Sequence, residues 1–143
     1  MTVALDPRLA ADTVPLGRFA LCRVLLMNDA RYPWLVLVPE RPGLRELFDL
    51  DDAGQGVLMR EMSAAARALA EAYQPDKINV GALGNIVAQL HVHVVARRVG
   101  DPAWPGPVWG HGTAAPYAAP ALAAVRERIV PRLGAGFAAA PND

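Results

Sequence analysis

NVGALGNIVAQLHVHVVAR, residues Asn79 to Arg97, carries two of the chain's three histidines one residue apart at its apolar end. In a strand, residues two apart point to the same side about 6.6–6.8 Å from each other. Gln89, His91 and His93 then share one face, and Leu90, Val92 and Val94 the other. The apolar face suits burial against a helix, and the polar face suits contact with water or a ligand. Around this core the run predicts a strand in KINVGA, a tight turn at LGN and a long strand in IVAQLHVHVVARR, residues 86–98.

Upstream, RFALCRVLLMN (Arg18–Asn28) and WLVLVP (Trp34–Pro39) flank the turn-like NDARYP, which is a hairpin signal. Pro39, Pro42 and Gly43 stop the second strand, and Asp49, Asp51 and Asp52 are N-cap candidates for a helix over 54–73. There Leu58, Met62, Ala65, Leu69 and Tyr73 recur every three or four residues, while Arg60, Glu61, Arg67 and Glu71 fall mostly on the opposite side. The order β, β, α, β, β predicts an α+β fold, an antiparallel sheet packed by one main helix. A Pro- and Gly-rich loop follows, then a short C-terminal helix with Leu122, Val125 and Ile129 on one side. The expected organisation is a single domain over 1–143, with a core at about 19–109, a loop and helix over 110–134 and a frayed tail over 135–143.

A chain of 143 residues is long enough to bury about 68–70% of its unfolded surface without staples. The single Cys22 forms no internal disulfide, and no leader-like segment opens the sequence, so a cytoplasmic protein is expected. No apolar run reaches membrane-spanning length. Fourteen basic residues balance fourteen acidic ones, so no broad positive field favours nucleic acid, and the expected ligand is small.

Three readings of the histidine pair remain open. The rings are ordinary half-exposed strand residues; or they are two ligands of a Zn²⁺ site needing one or two more from Cys22, His111 or an acid; or they act on phosphorus. A neutral imidazole, with its ordinary pKa near about 6.5, is nucleophilic at neutral pH and leaves phosphorus readily. A neighbouring His could then donate a proton to the departing group. Gly81 and Gly84 would let backbone N–H groups come close to phosphate oxygens.

The motif Asn79-Val-Gly81, Gly84-Asn85, Gln89-Leu-His91-Val-His93-Val-Val resembles that of the histidine triad (HIT) superfamily of nucleotide hydrolases and transferases, over roughly Phe19 to Trp109. The resemblance implies that His91 attacks an α-phosphorus to give a nucleotidyl-histidine and that His93 assists the leaving group. It further implies that Asn79, Gly84 and Asn85 lie near the phosphates and that Asn28 and Asp29 lie near the ribose, although turn formation explains the last two equally well. It implies a homodimer, a small-molecule nucleotide as partner, and neither metal nor other cofactor. The bond cleaved would be a phosphoanhydride or a phosphoramidate; the alternative is a nucleotide-binding regulatory module with little turnover.

Three positions depart from the family pattern. Gln89 replaces the opening His, whose backbone carbonyl orients the nucleophile and which a Gln can still supply. Pro42 replaces a His that often follows the second strand, and Asn85 and Ile86 stand where Gln and a hydroxyl residue are usual. Trp104, Trp109 and His111 lie in the following loop as lid or packing residues. Arg97 and Arg98 are either distal-phosphate ligands or a charged strand end.

Overall fold

A computed structural model describes residues 3–141. Its elements are α1 (Pro7–Asp12), β1 (Thr13–Arg18), β2 (Cys22–Met27), β3 (Trp34–Pro39), α2 (Asp52–Tyr73), β4 (Lys77–Gly81), β5 (Val92–Arg97), α3 (Ala119–Ile129) and β6 (Ala138–Ala139). The strands form one antiparallel sheet in the order β4-β5-β3-β2-β1-β6. The α+β expectation holds, with strands at one edge that the sequence reading did not anticipate.

Both faces of the central strands are covered, which explains why WLVLVP is buried at every position rather than alternating. On one face Val24, Leu26, Leu35, Leu37, Val92 and Val94 pack with Leu58, Ala65 and Leu69 of α2 and Ile129 of α3. On the other, Leu25, Val36, Val38 and Val95 pack with Leu9 of α1 and with Ala103 and Val108 of the loop after β5. Alternation along β5 thus sends Val92 and Val94 to the helices and His93 to the face roofed by loops.

Asp51 starts α2, its carboxylate accepting from the Gly54 N–H at 2.7 Å. The helix ends at Gln74, which adopts a left-handed conformation just before Pro75. Glu61, assigned to the polar side from periodicity, is instead buried. Its two carboxylate oxygens accept from the N–H groups of Leu21 and Cys22 at 2.9 and 2.8 Å, where the chain enters β2. Those donors have no sheet partner there, so a buried acceptor replaces the ladder.

The tail expectation is also corrected. Phe137 packs edge-on against Phe19, 5.4 Å between ring centres, and β6 pairs with β1. Gly17 makes this approach possible: its φ is +147°, and a Cβ there would lie 2.1 Å from the Ala138 carbonyl oxygen. The last two residues of the predicted tail, Asn142 and Asp143, lie outside the described residues.

Candidate active site

The predicted long strand from Ile86 begins only at Val92. Before it, Gly84 turns the chain at φ +71°, and the Leu90 N–H donates to Leu44 O, outside the sheet. Gln89 is therefore not on the strand face with the histidines. Its side chain reaches the amino-terminal segment, Oε1 accepting from Asp6 N–H at 2.8 Å and Nε2 donating to Ala4 O at 3.1 Å. Its backbone carbonyl oxygen lies 2.7 Å from His91 Nδ1.

A carbonyl oxygen only accepts, so Nδ1 of His91 carries a proton, and in the neutral ring Nε2 is the nitrogen with the lone pair. His91 and His93 stand edge to face with ring centres 4.9 Å apart. Trp34, the first residue of β3, donates its indole N–H to His93 Nδ1 at 3.0 Å, and Trp109 packs edge-on against His93 at 5.4 Å. Both histidines are more enclosed than half-exposed strand residues would be, at 7% and 5% exposure. Burial first, and the neighbouring His91 second, push His93 down to about 3.

The two rings line an open cavity of about 320 Å³, closed on one side by Leu83 to Val87 and on another by Trp34 and Trp109. Gly84 and Asn85 lie on its wall beside the histidines. Arg8 and Asp12 of α1 complete its rim. A larger groove, about 740 Å³, runs past Arg18, Arg23 and β6 but gathers no pair of groups suited to phosphorus chemistry. Among the described residues no three His, Cys, Asp or Glu side chains gather into a metal-binding set.

A model of the HIT domain family matches residues 8–100. The chain belongs to the HIT family. It is similar to a HIT protein from Sinorhizobium meliloti, 50% identical with a TM-score of 0.90 over 92% of this chain and 97% of the other. A HIT protein from Marinobacter aquaeolei is 47% identical, TM-score 0.90, over 93% and 97%, and one from Bradyrhizobium japonicum is 47% identical, TM-score 0.84, over 90% and 99%. No curated protein sequence matches.

Several residues assigned by the HIT resemblance hold the scaffold rather than line the cavity. Asn79 Oδ1 accepts from Arg97 Nη1 at 2.8 Å. Arg97 is neither a free phosphate ligand nor an exposed strand end: it is 1% exposed and pairs with Asp101 through two hydrogen bonds, at 2.7 and 2.9 Å. The Asp29 carboxylate holds Arg31 and the Ala115 N–H; burial raises it, yet these donors bring it net below the usual carboxylate range. Asn28 Oδ1 accepts from the Tyr117 N–H. These turn residues therefore clamp the loop before α3. Trp104 packs over the Arg97 guanidinium, and the His111 carbonyl accepts from Arg31.

Trp34, Arg8 and Asp12 are among the cavity residues that the sequence reading missed. Trp34 stood in plain view as a strand residue, but the β3–β5 register that sets it opposite Val95 is a tertiary fact. No helix among the described residues is long and apolar enough to cross a membrane.

Proposed function

We propose that this HIT protein is a nucleotide-binding hydrolase or transferase working in the cytoplasm, which cleaves a phosphoanhydride or phosphoramidate bond at an α-phosphate. The observation that carries this reading is the 2.7 Å contact of Gln89 O with His91 Nδ1, which puts the lone pair of the neutral ring on Nε2, turned away from the carbonyl. That lone pair attacks the α-phosphorus, the bond to the leaving group breaks, and a nucleotidyl-histidine forms. Water then attacks the same phosphorus and releases the nucleotide.

His93 faces the same phosphate as His91, Gly84 and Asn85 supply backbone donors to its oxygens, and Asn79 supports this end of the site through Arg97. Asn28 and Asp29 act on the nucleoside side by shaping the loop rather than through a free side chain. The working unit is a homodimer: the outer edge of β4 pairs with no strand among the described residues and carries half-exposed Val80.

The test is incubation of metal-free wild type and His91→Ala with dinucleoside polyphosphates and nucleoside phosphoramidates, with released nucleotide measured by chromatography. Release by wild type alone supports the reading. Binding without release from either protein overturns it in favour of a nucleotide-binding regulatory module.

A further inference from the structure

An indole N–H can only donate. The 3.0 Å contact from Trp34 Nε1 to His93 Nδ1 therefore requires a bare lone pair on Nδ1, and the single proton of a neutral His93 sits on Nε2. His91 has the opposite arrangement, with Nδ1–H facing the Gln89 carbonyl. Two rings 4.9 Å apart thus present a lone pair and an N–H donor to one cavity.

We infer that Trp34 is a positioning residue that holds His93 as a neutral Nε2–H donor, and that the site consequently selects leaving groups able to depart as anions, phosphoanhydrides over phosphoramidates. This rests on the proposed attack by His91. Protonating Nδ1 would set its new N–H against the indole N–H, so Trp34 opposes the imidazolium directly. The enclosure of His93 by Trp34 of β3, Trp109 of the loop and His91 beside it acts in the same direction. Arg8 and Asp12 of α1 share the cavity rim, and neither forms an ion pair with His93.

The bond changes give the selectivity. Nε2 of His91 forms a P–N bond to the α-phosphorus, the P–O bond to the departing phosphate breaks, and its electron pair stays on that oxygen. A phosphate carries this charge unaided, and the His93 N–H stabilises it without surrendering its proton. The Nδ1 proton remains on His91, whose positive ring faces the Gln89 carbonyl until water displaces it. The water oxygen forms the new P–O bond, the P–N pair returns to Nε2, and the water proton passes to solvent. In a phosphoramidate the breaking P–N bond leaves its pair on nitrogen, which must gain a proton as it departs. A neutral imidazole N–H is too weak an acid to provide it.

The experiment records ring ¹⁵N–¹H spectra of wild type and Trp34→Phe from pH 5 to pH 8, and kcat/KM for one dinucleoside polyphosphate and one nucleoside phosphoramidate. In wild type, His93 should show a protonated Nε2 and a bare Nδ1 without titrating in this range. The anhydride should be preferred by roughly 100-fold, the scale of one general-acid contribution. Trp34→Phe should populate the Nδ1–H form and narrow that preference. A wild-type His93 protonated on Nδ1, or titrating near about 6.5, overturns the inference, as does equal use of both substrates. The wild-type spectra decide this even if Trp34→Phe folds poorly. If neither bond is cleaved, the hydrolase reading fails and the selectivity with it, while the spectra still decide whether Trp34 sets the tautomer.

Discussion

The backbone oxygen of Gln89 meets His91 Nδ1 at 2.7 Å, while the Gln89 side chain points away to Asp6 and Ala4. The proposed nucleophile is thus oriented by a group that every amino acid possesses. Gln89→Ala should keep kcat within about tenfold of wild type, the mild end of losses expected for an outer-shell change, whereas His91→Ala should remove turnover. The same variant should lose about 1–2 kcal/mol of stability from two partly exposed hydrogen bonds, read by urea denaturation. A loss of turnover as complete as that of His91→Ala would show that the Gln amide itself is required.

Glu61 predicts a large structural cost far from what its helical position suggests. Glu61→Ala strands two buried N–H groups, those of Leu21 and Cys22, and should destabilise the chain by about 2–5 kcal/mol. Glu61→Gln, which keeps one accepting oxygen, should cost less. Chemical denaturation midpoints would rank the three proteins, and equal midpoints would refute the buried contact.

Acid should weaken the Arg97–Asp101 pair in a defined direction. The Arg97 side-chain hydrogen bonds hold the Asp101 carboxyl below its ordinary range, partly opposed by burial. A carboxyl depressed in the folded state adds stability that is present above its unfolded pKa, about 3.9, and lost as pH falls through the folded value. Wild type should therefore exceed Asp101→Asn in urea midpoint at pH 7, with the gap closing below about pH 4. A gap that stays constant down to pH 2 would contradict this.

Gly81 closes β4 against the ring of Trp109. A Cβ at Gly81 would lie 2.8 Å from Trp109 Cη2 and 3.2 Å from Cζ2, so Gly81→Ala should push the indole toward the histidines and reshape the cavity. Nucleotide affinity measured by calorimetry should drop by roughly tenfold, about 1.4 kcal/mol, while the β4–β5 pairing persists. Unchanged affinity would place Trp109 outside the binding surface.

The sequence by itself determined the α+β class, the hairpin, and α2 with its cap narrowed to Asp49, Asp51 or Asp52, because periods of two and 3.6 and local capping are properties of neighbouring residues. Those same rules misplaced Glu61, whose partners lie some forty residues away in sequence, and took the tail for frayed because β6 is two residues long and exists only against Gly17 and Arg18 of β1. Nor could they show that Arg97, Asn79 and Asp29 are each spent on a partner within the fold. Only the tertiary structure decided that the Trp34 indole faces His93 Nδ1 and that the Gln89 carbonyl faces His91 Nδ1. Strand register and donor–acceptor pairing across the sheet are set by packing of distant segments, and no local pattern in the chain encodes them.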